Sequence, residues 1–141
     1  DENLLNQHQI NTKLMPFLHL PIQSGSDRIL KKMNRKHNRS FYLNLIEKIK
    51  KLNQDMAFSS DFIVGYPGET DEDFQESLEV IEKVRFASSY SFKYSPRPGT
   101  PSSLKNNLID TDVVDTRLKK MQSILNKYQR EFNLTFIDKT V

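Results

Sequence analysis

Three short segments hold the side chains best suited to binding or reaction. They are Gln23-Ser24-Gly25-Ser26, Asp61 to Thr70 (DFIVGYPGET), and Ser95 to Thr100 (SPRPGT). In the first, an amide and hydroxyls sit beside Gly25, which lets a ligand come close, so Gln23 and Ser24 can meet a sugar. The same residues also fit an ordinary polar turn that caps a helix through Ser26 or Asp27. In the second, Ile63 and Val64 offer apolar edges and backbone groups to a flat adenine, and Gly65 and Gly68 permit a tight turn around it. Glu69 and Thr70 there read first as caps of the following helix. Asp61 lies among apolar neighbours and needs a donor or a wet interior, so it reads as an ion-paired interior residue ahead of a catalytic one. In the third, Arg97 stands between two prolines ahead of Gly99 and Thr100. A guanidinium on so stiff a loop suits phosphate, carboxylate or a base edge, and the alternative is an exposed loop arginine. Arg35 has the same potential for a carboxylate, or is simply solvated.

Other chemistries are disfavoured. His8, His19 and His37 share no metal-ligand spacing, and His19, inside an apolar run, reads as packed and hydrogen-bonded. The cysteine count is 0, which excludes thiolate zinc, disulfides and cysteine-ligated clusters within these residues. There is no phosphate-binding GxxxxGK[ST], no GxSxG and no dinucleotide-binding glycine pattern. A net charge of +3 permits an anionic partner without demanding one. The charge is uneven: Arg28, Lys31, Lys32, Arg35, Lys36 and Arg39 form a basic run opposed only by Asp27, a solvated face or a nucleic-acid or cofactor contact. Glu69, Asp71, Glu72, Asp73, Glu76, Glu79 and Glu82 form an acidic run that reads as helix N-terminal charge and exposed face.

The elements that position these loops repeat one grammar. Phe17 to Leu20, Met56 to Val64, and Tyr90, Phe92 and Tyr94 read as strands, each stopped by a Gly/Pro cluster. A helix starts at Asp27. A second is capped by Ser40, with the stripe Phe41, Leu45, Ile49 and Leu52. A third is capped by Thr70, with Asp73 three residues on and Phe74, Leu78 and Ile81 along one face. A last helix behind Asp112 carries Val114, Leu118, Met121, Leu125, Tyr128 and Phe132, a packing stripe. Strand–loop–helix repeated three times predicts an α/β fold with parallel strands and right-handed crossovers. All three loops then gather at the C-terminal ends of the strands. With 141 residues the chain suits a single core, and 28% charged residues without low complexity argue against disorder. No apolar run approaches a membrane span and the polar start resembles no targeting peptide, so a soluble cytoplasmic protein with no membrane partner is expected.

Taken as whole motifs, LMPFLHLPIQSGSDRILKKMNRKH, FSSDFIVGYPGETDEDF and YSFKYSPRPGTP resemble the radical S-adenosylmethionine (SAM) methylthiotransferases. The likeness is greatest to the tRNA branch that makes 2-methylthio-N6-isopentenyladenosine beside the anticodon. It implies the C-terminal part of a partial (β/α) TIM-like barrel over residues 1–136, including a linker helix over 112–136. Residues 137–141 would begin a strand of a following RNA-binding TRAM domain. It also implies S-adenosylmethionine as cofactor, near Gln23, Ser24, Arg35, Ile63, Val64 and Gly65, and the tRNA anticodon stem-loop as substrate, near Arg97, Gly99 and Thr100. The family's 4Fe-4S clusters need cysteines absent from this chain. Catalysis is therefore expected only alongside a complementary N-terminal polypeptide carrying the cluster. The alternative is a stand-alone degenerate RNA- or nucleotide-binding module without catalysis.

Overall fold

The computed structural model describes residues 17–96, 99 and 107–140, the last six as helix backbone only. Three strands, β1 (Phe17–His19), β2 (Ala57–Val64) and β3 (Ser88–Lys93), form one sheet in the order β1-β2-β3. Both pairings are parallel, with Leu18 opposite Phe58, Asp61 opposite Tyr90, and Ile63 opposite Phe92. Parallel neighbours need crossovers, and helices supply them. Between β1 and β2 run α1 (Asp27–Lys32) and α2 (Arg39–Leu52), and between β2 and β3 runs α3 (Asp71–Val84). The last helix, α4, spans Thr111–Thr140. The expected α/β architecture is present, and α4 matches the long C-terminal helix.

One face of the sheet carries the core. Leu18, Phe58, Phe62 and Val64 pack with Tyr42, Ile46 and Ile49 of α2, Leu78 and Ile81 of α3, and Val114, Met121 and Leu125 of α4. The opposite face holds Phe17, His19, Asp61, Ile63, Tyr90 and Phe92, none of them fully buried. Side chains alternate across a strand, so the register fixes which residues share that open face.

α3 forms as its sequence predicts. The Thr70 hydroxyl accepts from Asp73 N–H and the Asp73 carboxylate accepts from Thr70 N–H, a closed capping box. α2 departs from expectation. Its cap is Asn38, whose Oδ1 accepts from Phe41 N–H at 2.8 Å, rather than Ser40. Phe41 and Leu52 are exposed, and the buried stripe is Tyr42, Ile46 and Ile49. The two candidate stripes share Ile49. Tyr42 decides between them, since its hydroxyl donates to Leu20 C=O at 2.7 Å and turns that side to the sheet. α4 likewise starts earlier than expected: Asp110 Oδ1, not Asp112, accepts the first-turn N–H, from Asp112 at 3.1 Å. Residues 137–140 continue α4, where the likeness implied the start of a strand. Val141 lies outside the described residues.

Candidate functional site

Past β1 the chain rejoins β2 at a single bridge, where Gln23 N–H donates to Asp61 C=O and Ile63 N–H donates to Gln23 C=O, both at 2.9 Å. Gln23 holds φ 73°, a left-handed conformation that costs a side-chain-bearing residue about 1–2 kcal/mol. Such a residue persists only where its surroundings dictate it, and strand-end loops of this kind recur at functional sites. Here the surroundings are α3. Gly25 N–H donates to Ser77 Oγ at 2.8 Å, and Ser26 Oγ donates to Asp73 Oδ1 at 2.7 Å. Gly25 lies so close to α3 that a β-carbon would stand 2.4 Å from Glu76 C=O. Ser24 is buried: its hydroxyl accepts from Ser26 N–H at 3.1 Å and faces Ser77 Oγ at 3.4 Å.

The GYPGET loop is fixed from two sides. Glu69, 5% exposed, was expected to cap α3. It turns back instead, Oε1 accepting from Gly65 N–H at 3.0 Å and from Arg117 Nη1 of α4 at 2.9 Å. A buried carboxylate needs such partners, and the start of α3 is already capped by Thr70 and Asp73. Arg117 also donates to Asp71 Oδ1 at 2.6 Å. Burial raises the Glu69 carboxyl above its ordinary range, partly offset by Gly65 N–H and Arg117. Gly65 holds φ 81°, and a β-carbon there would lie 2.7 Å from Val114. On the other side Arg28 pairs with Asp73 and donates to Gly68 C=O, and Tyr66 OH donates to Lys32 C=O at 3.2 Å. Burial pushes the Asp73 carboxyl up, but hydrogen bonds from Arg28, Thr70 and Ser26 outweigh it and hold the group at about 2.

The basic run is therefore less free than its sequence suggests. Arg28 meets Asp73, and Arg39 meets Glu76 at 3.7 Å and Glu79 at 3.3 Å, so the acidic run is in part its counter-charge. Lys31, Arg35 and Lys36 stay exposed. Arg35 follows Asn34, whose left-handed φ of 63° ends α1 with Arg35 N–H bonded back to Leu30 C=O at 2.9 Å.

Of the residues read from the sequence, Gln23 and Ile63 come together, both partly exposed at the C-terminal rim of the sheet. Ser24, Val64 and Gly65 lie directly behind them, buried, and Val64 C=O accepts from Tyr94 N–H at 2.8 Å. No hydrogen bond or ion pair joins Arg35 to these residues among those described. Gly99 sits in open space with φ 86°, while Arg97 and Thr100 lie outside the described residues. Asp61 is partly exposed on the open face, with His19 beside it: His19 Nε2 stands 3.5 Å from Asp61 Oδ2, and His19 Nδ1 is 2.6 Å from Ser59 Oγ. His19 is hydrogen-bonded as expected, but it stands on the open face instead of being packed. Sequence reasoning passed over Arg117 and Ser77. Each sits on a helix about fifty residues from the loop it holds, with no local signal to mark it.

The residues do not fit an iron–sulfur cluster. There is no cysteine, and no group of three His, Asp or Glu among the described residues is placed to hold a metal. The strained Gln23 and the partly exposed Ile63 meet at one rim of the sheet. No helix among the described residues is long and apolar enough to cross a membrane.

The chain is 52% identical over 139 residues to the tRNA-2-methylthio-N(6)-dimethylallyladenosine synthase of Ehrlichia ruminantium (strain Welgevonden), covering 99% of this chain and 31% of that protein. It is 55% identical over 132 residues to the enzyme of the same name from Bartonella tribocorum, covering 94% of this chain and 29% of the relative. The Wolbachia pipientis wMel enzyme is 50% identical over 140 residues, covering 99% and 32%. The chain thus spans about a third of the length of the curated relatives it matches. The model of the Radical SAM superfamily matches residues 10–81, half of the chain and both loops that meet at the rim. The chain belongs to the radical SAM superfamily.

Proposed function

We propose that this chain forms the later strands and the cofactor rim of a tRNA methylthiotransferase. That enzyme adds a methylthio group to C2 of N6-isopentenyladenosine beside the anticodon. The observation that carries the reading is the junction of Gln23 with Ile63, at the edge where a parallel α/β sheet presents its ligand site. Gln23 and Ile63 face the ribose and adenine of S-adenosylmethionine. Ser24, Val64 and Gly65 shape the segment behind them, and Arg35 meets the cofactor's carboxylate. Arg97, Gly99 and Thr100 meet the tRNA stem-loop. Residues 112–136 serve as the linker helix and 137–141 lead into an RNA-binding domain. When bound, one S-adenosylmethionine would supply the radical on reduction by an iron–sulfur cluster, and a second would supply the methyl group. This chain has no ligands for that cluster, so a complementary polypeptide brings it, and the chain alone is inactive. The tRNA substrate places the work in the cytoplasm.

The test is complementation in a cell lacking tRNA methylthiotransferase. Expressing this chain together with the N-terminal part of a relative restores methylthiolated tRNA, measured by mass spectrometry of nucleosides, whereas either part alone does not. Product from this chain alone, or none from the pair, contradicts the reading.

A further inference from the structure

We infer that one flank of α2, together with the free edge of β1, is the surface on which the complementary polypeptide docks, seating a parallel strand and an acidic amphipathic helix there. The inference rests on the function proposed above, since it assigns where that partner joins. The sequence marks Phe41, Leu45, Ile49 and Leu52 as a stripe, yet α2 buries Tyr42, Ile46 and Ile49. Phe41 and Leu52 are left 60% and 76% exposed, and Leu45 is only partly buried. At about 100° per residue these three side chains share a flank roughly 90° from the buried face. An amphipathic helix needs one apolar stripe, and a second marks another contact. That contact is not α3. It meets the opposite flank, where Leu43, Glu47 and Lys50 line a groove with Lys83 and Val84.

The exposed flank therefore overhangs the β1 end of the sheet. Leu20 N–H donates to Ser59 C=O at 2.9 Å, so alternation turns the N–H and C=O of His19 away from β2. Among the described residues no strand pairs with β1 on that side. Every pairing in the sheet is parallel, and a further parallel strand fits this edge. A right-handed turn out of that strand lays its helix on the face that α2 and α3 cover, against Phe41, Leu45 and Leu52. The relatives supply the source of both elements. The match takes in 99% of this chain but only 31% of the Ehrlichia ruminantium protein, so most of such an enzyme lies outside it. Charge then selects the helix. Lys48 and Lys51, beside the stripe, are both basic and exposed, so the seated helix carries carboxylates along its rim. A second copy of this chain would set the same lysines against each other, which like charge opposes.

The test co-expresses the whole chain with the N-terminal part of the Ehrlichia ruminantium relative, purifies the complex, and follows its dissociation on dilution by light scattering. A one-to-one complex is expected. Phe41→Ser combined with Leu52→Ser weakens it by about tenfold or more, through the loss of two buried apolar side chains. Lys48→Glu combined with Lys51→Glu weakens it at low salt, and high salt narrows the difference. Leu134→Ser, at a comparably exposed leucine far along α4, leaves assembly unchanged. The substituted residues are exposed, so each variant chain alone unfolds at the parent temperature. Flank variants that assemble like the parent, or a loss from Leu134→Ser as large as theirs, overturn the surface. A lowered unfolding temperature of the flank variants alone also overturns it, because the chain would then cover this flank itself. So does self-association of the chain that Phe41→Ser with Leu52→Ser abolishes. If the parent pair never assembles, the proposed function falls with the surface. If the pair assembles and methylthiolates tRNA equally well with either flank variant, the surface alone fails.

Discussion

Arg117 on α4 and the buried Glu69 of the GYPGET loop form an ion pair of 2.9 Å across 48 residues of sequence. The same Glu69 oxygen accepts from Gly65 N–H, so one side chain of the last helix fixes the loop beside the rim. Arg117→Met leaves a carboxylate buried without its cation, a change that costs about 3–5 kcal/mol. Adding Glu69→Gln recovers part of the loss, because the amide oxygen still accepts from Gly65 N–H. Urea unfolding of the two single variants and the double measures both effects. A cost for Arg117→Met within the roughly 0.5 kcal/mol of ordinary surface changes refutes the pairing.

Asp73 joins α1 to α3, and its folded pKa of about 2 lies below the ordinary 3.8. A depressed acid contributes stability above its unfolded value and loses it as pH falls through the folded one. The shift corresponds to about 2–3 kcal/mol, present at neutral pH and lost progressively between about pH 5 and pH 2. Asp73→Asn is therefore less stable than the parent at pH 7, and the two converge near pH 2. Glu69 has the opposite sign: its raised pKa removes stability as pH rises through the usual carboxylate range. A gap between Asp73→Asn and its parent that is independent of pH contradicts the charge assignment.

Two glycines are held by space in different ways. At Gly65 a β-carbon meets the Val114 side chain at 2.7 Å, with φ at 81°. Gly65→Ala costs about 1–3 kcal/mol from crowding, and Val114→Ala relieves the contact but leaves the backbone penalty of about 1 kcal/mol. At Gly25 the obstacle is the backbone of α3, at 2.4 Å, and no truncation of a side chain helps. Gly25→Ala is accordingly the more damaging change. Thermal unfolding of the three variants checks the order, and a Gly25→Ala protein as stable as its parent contradicts the seating of the loop on α3.

The alternation of strands and helices and the Thr70 cap were legible because each depends on residues close together in the chain, and parallel direction followed from that alternation. The setting of Asp61 was not legible: its apolar neighbours in sequence suggest burial, yet the strand alternation puts it partly exposed on the open face, near His19. α2 was harder. Asn38 and Ser40 are both good caps, and only the Tyr42 bond to Leu20 chose between two overlapping stripes. The pairing of the basic run with α3, and the hold of Ser77 and Arg117 on the two loops, join residues about forty to fifty positions apart. Periodicity carries no information about such contacts. Gln23 was marked by its amide beside small residues, but its left-handed backbone was not, because nothing in its type calls for φ above zero.

Amide hydrogen exchange on the complex of this chain with its cluster-bearing complement, with and without S-adenosylmethionine, tests most directly whether the QSGS and GYPGET loops form one cofactor rim. Slowed exchange is expected together over residues 22–26 and 62–66, with Gln23→Ala weakening both effects at once. Cofactor-dependent protection that misses both segments, or that reaches one without the other, would contradict a shared site.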